Sequence, residues 1–145
     1  MRIRDLMTRS LITVVPDETV TAAHQLMQKH RIRHLLVVDG EQLVGIVTDR
    51  DIRLNMPSQA TSLSVWELHH LLAKLTVGAV MTRSVITVGP DRDAREAARL
   101  MLDHKIGALP VMDAGRLLGI VTETDLLRVF AKSGPAGESG DARAT

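Results

Sequence analysis

The feature that most constrains this chain is that one stretch of it is written twice. Met7-Thr8-Arg9-Ser10 returns as Met81-Thr82-Arg83-Ser84, and the offset of 74 positions then holds without a gap. Ile12-Thr13-Val14 returns as Ile86-Thr87-Val88, Pro16-Asp17 as Pro90-Asp91, Leu26-Met27 as Leu100-Met101 and His30 as His104. Leu43, Gly45-Ile46-Val47-Thr48 and Asp51 return as Leu117, Gly119-Ile120-Val121-Thr122 and Asp125. About half of the positions from Leu6 to Leu54 match their counterparts. Such an offset marks a duplicated folding unit, so the fold must be one that works in two copies.

Both copies read in the same order. Residues 11–14 are a β-branched run ended by Pro16 and Asp17, which predicts a strand, and Asp17 is placed to cap the helix that follows. In that helix Val20, Ala23 and Met27 leave a narrow apolar face. The second copy is clearer, with Ala94, Ala97, Ala98, Met101 and Leu102 at helical spacing. Residues 34–38 form a short apolar strand, Asp39-Gly40 a turn and residues 43–48 another strand. Asp51 to Leu54 then opens a second helix that stops near Pro57. The turn is too short for a parallel crossover, so the last two strands pair as an antiparallel hairpin. A unit of about fifty residues buries too little surface to be secure alone. The fold class expected is therefore α/β (α+β): two pseudo-symmetric β-α-β-β-α units packed as a pair and sharing an interface.

The boundaries follow from the repeat: residues 1–56, a helical linker at 57–77, residues 78–132, and a tail at 133–145 rich in Gly, Ala, Ser and charge that is expected to be disordered. Within the linker, Ser64-Val65-Trp66-Glu67 has the spacing of a capping box, and Leu68, Leu71, Leu72 and Leu75 recur at helical spacing. That stripe either packs on the pair or meets a second copy.

Composition removes several function classes. One Trp, one Phe and no Tyr leave no aromatic platforms for stacking single-stranded nucleic acid. The net charge is +1 with Lys and Arg dispersed, so no polyanion-binding surface and no nucleic-acid partner is expected. Cysteine is absent, which removes thiolate chemistry and zinc–thiolate sites. The charged start is not a signal peptide and the apolar runs are too short to span a bilayer. No membrane association and a cytoplasmic location are the default expectation. His30 and His34 are four apart, but no carboxylate completes a ligand set, and His69-His70 face different sides of a helix, so no metal site is assigned. No phosphate-binding Gly-x-x-x-x-Gly-Lys loop and no defensible Ser-His-Asp arrangement occurs. No catalytic residue is assigned.

What remains is Gly45-Ile46-Val47-Thr48-Asp49-Arg50-Asp51, repeated as Gly119-Ile120-Val121-Thr122-Glu123-Thr124-Asp125. A strand ends on Thr, and Asp follows three residues later at a helix start. The helix N-terminus presents backbone N–H groups that suit a phosphate, and the Thr hydroxyl can donate to one. The Asp carboxylate can accept from two vicinal hydroxyls, as a ribose presents. The Ile-Val pair supplies an apolar wall for a base. The same Thr-x-x-Asp is also an ordinary helix cap, and both readings stand at this point. Asp51 and Asp125 are equivalent rather than complementary, so they do not form a general acid/base pair.

These residues, in this order and twice, strongly resemble a tandem pair of CBS domains, also called a Bateman module. The resemblance covers about residues 3–131 and rests on the Met-Thr entry, the β-α-β-β-α order, the stretch from His104 to Val111, and Gly-Ile-Val-Thr-x-x-Asp. It implies that clefts between the two domains hold an adenosine ligand such as AMP, ADP, ATP or S-adenosylmethionine, as a regulatory ligand and not a catalytic cofactor. By that resemblance Thr48 and Thr122 contact phosphate, and Asp51 and Asp125 bind the ribose hydroxyls. Ile12, Ile46 and Val47 flank one base, and Ile86, Ile120 and Val121 the other. The nucleotide-sensing subunit of AMP-activated protein kinase has basic residues just before the second strand and inside the motif. Here those places hold Arg33, His34 and Arg50 in the first copy but Gly107, Ala108 and Thr124 in the second, so the two sites are unequal. The linker pattern is similar to that of stand-alone bacterial CBS proteins, including relatives of acetoin-utilisation regulators. A homodimer and a separate effector protein are further expectations of the resemblance. The competing reading is a structural or protein-interaction module whose clefts stay empty.

Overall fold

The computed structural model describes residues 1–56 and 63–132. Residues 57–62 of the expected linker, including the stop at Pro57, and the expected tail at 133–145 lie outside them. The chain forms two compact units, and their boundaries are not those of the repeat. One unit is Leu11–Val85; the other joins Met1–Ser10 to the described residues from Ile86 onward.

In the continuous unit, β1 (Thr13–Val14) is followed by α1 (Val20–His30), β2 (His34–Asp39), β3 (Gln42–Thr48) and α2 (Asp49–Leu54). The linker then contributes α3 (Val65–Lys74), and the short α4 (Val77–Val80) follows. β1 pairs parallel to β2, and β2 pairs antiparallel to β3, the hairpin that the two-residue turn requires. The discontinuous unit repeats the order with α5 (Ala94–His104), β4 (Ala108–Asp113), β5 (Arg116–Thr122) and α6 (Glu123–Lys132). Its first strand shrinks to one parallel bridge, Val88 to Val111. Both hairpins carry a register shift at the same place, after Val37 and after Val111.

One local expectation is corrected. Thr19, not Asp17, caps α1, its hydroxyl accepting the Ala22 N–H at 3.1 Å. Its counterpart Asp93 caps α5 by accepting the Arg95 N–H at 2.8 Å. Capping needs the side chain one residue before the first helical turn, and Asp17 stands too early. In the linker, Ser64 and Glu67 do form the reciprocal capping box. The Ser64 backbone N–H holds the Glu67 carboxyl below its ordinary range. Of the leucine stripe, Leu75 packs on the core of the continuous unit, whereas Leu71 is exposed and Trp66 is 85% exposed.

The shift in boundary has a specific cause. Each Met-Thr entry packs on the other copy's strand. Thr8 and Ile120 exchange backbone hydrogen bonds of 2.8 and 3.0 Å; Thr82 and Ile46 exchange bonds of 2.9 and 3.0 Å. Close approach needs a strand residue with no side chain. A Cβ on Gly119 would lie 2.7 Å from the Thr8 carbonyl, and one on Gly45 would lie 2.6 Å from the Met81 sulfur and 2.9 Å from the Thr82 carbonyl. Ile3 and Met7 complete the core of the discontinuous unit. Val77 and Met81 hold the matching places in the other.

Candidate functional site: two Thr-x-x-Asp corners

Strand alternation decides which motif residues share a face. In β3, Val47 is fully buried and belongs to the core with Leu35 and Val37. Ile46 and Thr48 point to the other face, with Leu36 opposite Ile46 and His34 opposite Thr48. In β5 the fully buried Val121 is likewise a core residue, while Ile120 and Thr122 share the other face, Thr122 standing opposite Ala108. Ile46 and Val47 therefore do not present side chains to one place, nor do Ile120 and Val121. Ile12 and Ile86 are partly buried at the margins of the two cores. Arg33 is exposed, and its carbonyl accepts the Asp49 N–H at 3.0 Å, which fixes it beside the corner. Arg50 is exposed in the first turn of α2.

Each corner is a reciprocal cap. Asp51 Oδ2 accepts the Thr48 N–H at 2.9 Å, and Thr48 Oγ1 accepts the Asp51 N–H at 3.0 Å. Asp125 Oδ2 accepts the Thr122 N–H at 2.9 Å, and Thr122 Oγ1 accepts the Asp125 N–H at 3.4 Å. The capping reading of the motif is thus correct as geometry, and it leaves one carboxylate oxygen of each Asp for other work.

That remaining oxygen differs between the copies. Asp51 is half-buried, and its Oδ1 has no partner among the described residues. Asp125 is buried, 5% exposed. Its Oδ1 accepts from Thr8 Oγ1 at 3.3 Å and from the Arg128 guanidinium at 3.4 Å. The Thr122 hydroxyl also donates to Asp125 Oδ2 at 3.2 Å, whereas the Thr48 hydroxyl makes no such bond to Asp51. Sequence reasoning did not find Thr8 or Arg128. Thr8 was visible as part of a repeated Met-Thr, but not as a neighbour of the other copy's motif. Arg128 was visible as a break in the repeat, since Leu54 holds the matching place.

Among the described residues no group of three or more His, Asp or Glu side chains could hold a metal ion, and no helix is long and apolar enough to cross a membrane.

Comparison with known proteins agrees with this arrangement. The sequence matches the CBS domain family over residues 3–58 and again over 77–132. It is 37% identical over 126 residues to an inosine-5'-monophosphate dehydrogenase of Korarchaeum cryptofilum, covering 86% of this chain but only 23% of that protein. Among solved structures it is similar to CBSX2 in complex with AMP, with a TM-score of 0.76 and 34% identity over 92% of this chain and 98% of the other. It is also similar to the CBS domain pair of protein MJ0100 in complex with 5'-methylthioadenosine and S-adenosyl-L-methionine. There the TM-score is 0.75 and the identity 30%, over 91% of this chain and 97% of the other. With two consecutive matches and the same β-α-β-β-α unit in both copies, the chain belongs to the CBS-domain family as a tandem pair.

Proposed function

We propose that this chain is a regulatory module that binds an adenosine ligand reversibly, without consuming it, and passes the state of that ligand to an effector protein. The candidate ligands are AMP, ADP, ATP and S-adenosylmethionine. The observation that carries the reading is the Thr48–Asp51 corner, where one carboxylate oxygen is locked to the backbone and the other has no partner among the described residues. An acceptor held in place this way suits a vicinal diol. Each hydrogen bond to a charged group contributes about 1.5–3 kcal/mol.

The other parts of the proposed site have these roles. The Thr48 hydroxyl donates to a phosphate, Arg33 and Arg50 supply positive charge, and His34 stands opposite Thr48 on the same face. Ile12 and Ile46 form the wall for the base, with Val47 supporting it from the core behind. Thr122, Asp125, Ile86 and Ile120, backed by Val121, form a second and weaker site, poorer in charge because Gly107, Ala108 and Thr124 replace the basic groups. Complexes of the related pairs with AMP and with S-adenosyl-L-methionine and 5'-methylthioadenosine support the ligand class. A sensor of such ligands works where they are made and spent, so the proposed compartment is the cytoplasm.

A homodimer is part of the proposal. Leu102 and Leu127 are large, apolar and exposed on α5 and α6, and with Met101, Ile106 and Leu126 they line a groove of about 450 Å³. Sedimentation of a single 15.9 kDa species at tens of micromolar (on the order of working concentrations) would overturn it. The second reading, a scaffold with empty sites, is favoured by one observation: both Thr-x-x-Asp corners have the geometry of ordinary helix caps.

Thermal melts separate the two readings. A ligand at a hundred times its Kd adds about 2.7 kcal/mol, which raises Tm by roughly 5–10 °C for a chain of this size. Asp51→Ala should weaken binding of AMP at least tenfold, since about 1.4 kcal/mol is a factor of ten. No shift with any of the four ligands at millimolar levels would favour the scaffold.

A further inference from the structure

We infer that Arg128 competes internally for the Asp125 carboxylate, so the residue three places after each Asp decides whether that corner is open to a vicinal diol. The inference rests on the function proposed above and specifies which corner takes the ligand first. In the discontinuous unit every acceptor position of the corner is engaged. Asp125 Oδ2 takes the Thr122 N–H and hydroxyl, while Oδ1 takes Thr8 Oγ1 at 3.3 Å and Arg128 at 3.4 Å. In the continuous unit Leu54 stands where Arg128 stands; it has no donor and is 70% exposed. Residues three apart on a helix lie on one side, which is why a donor at this place reaches the carboxylate and an apolar residue leaves it open.

The competition is displaceable. The Arg128 side chain is 58% exposed while that of Asp125 is 6% exposed. An ion pair with a solvated partner contributes little. A diol arriving at Asp125 must displace the guanidinium and turn the Thr8 hydroxyl away, whereas at Asp51 it meets an open oxygen. Ligand therefore fills the Asp51 corner first and the Asp125 corner only at higher concentration.

Adenosine is the informative probe, because a displaced Arg128 could meet the phosphate of AMP and mask its own cost. Calorimetry on the full chain with Asp51→Ala isolates the Asp125 corner. There Arg128→Leu should tighten adenosine about two- to fivefold, the range of an exposed ion pair. In the otherwise wild-type chain Leu54→Arg should install the same contact and weaken adenosine at Asp51 by a similar factor. Both replaced side chains are exposed, and melts of each variant verify the fold. Adenosine binding that is unchanged or weaker in Arg128→Leu, or unchanged in Leu54→Arg, overturns the inference alone. A wild-type chain that binds neither adenosine nor AMP overturns the proposed function, and the competition falls with it.

Discussion

Asp51 and Asp125 stand at equivalent places, three residues after the last residue of a strand, and each accepts that residue's N–H at 2.9 Å. Beyond the cap they part company. Asp51 keeps an open oxygen; Asp125 is buried and takes two further donors from outside the motif. The motif therefore specifies the cap, and residues around it specify what the cap is free to do. One of these, Thr8, is 117 residues from Asp125 in sequence and arrives only because the N-terminal segment completes the unit that begins again at Ile86. The same physical device, a Met-Thr strand edge against a glycine, serves both corners, but only one of them turns its threonine onto the carboxylate.

The largest test of this contrast removes the segment's anchor. Ile3 is fully buried in the core of the discontinuous unit, so Ile3→Ala should cost about 2–5 kcal/mol. Hydrogen exchange should show lost protection in residues 86–132 with residues 11–85 unaffected. Equal loss in both would mean that the segment does not belong to one unit in the sense described.

Truncating the two carboxylates sharpens the comparison directly. Asp125→Ala strips partners from Thr8 and Arg128 as well as the cap, and should destabilise by about 1–3 kcal/mol. Asp51→Ala removes a cap alone and should cost about 1 kcal/mol. Denaturant midpoints for the two variants would have to be equal to refute the difference in their surroundings.

The smallest effect concerns how the segment is tied down. A hydrogen bond from Arg4 at 2.8 Å, with the charges of Arg4 and Arg2, holds the Asp91 carboxyl below its ordinary range. Among the described residues its counterpart Asp17 makes no ion pair. A depressed folded pKa stabilises above the ordinary aspartate value of about 3.9, and that stabilisation is lost as pH falls through the lower folded value. Wild-type and Asp91→Asn melts should therefore differ at neutral pH and converge in acid, while Asp17→Asn, with no ion pair to lose, should match wild type at neutral pH. A gap between wild type and Asp91→Asn that persists in acid would assign it to something other than the ion pair.

The repeat, the element order, the antiparallel hairpins and the Ser64–Glu67 cap were legible in the sequence because each depends on residues a few positions apart. The strand alternation that separates Ile46 from Val47 was legible too, in the period of two, though the resemblance assigned both to the base. Other features were not legible. Thr19 caps α1 because the chain turns into the helix later than Pro16-Asp17 suggests; both Asp17 and Thr19 are residues that cap well, and the backbone decided between them. The first strand of the second copy survives only as the Val88 bridge. One difference in the runs lies just after the strand, where Val15 is replaced by Gly89, a residue that favours strands poorly.

By itself the sequence determined that a single unit is built twice, that each copy carries a Thr-x-x-Asp at a helix start, and that basic residues accompany only the first. All of these follow from local spacing. Tertiary structure decided which entry segment completes which unit, and through it which carboxylate is engaged. Backbone bonds between Thr8 and Ile120, or between Thr82 and Ile46, join strand edges far apart in the chain. The repeat offers the same Met-Thr and the same glycine to either pairing, so the choice between them belongs to packing rather than to any residue of the motif.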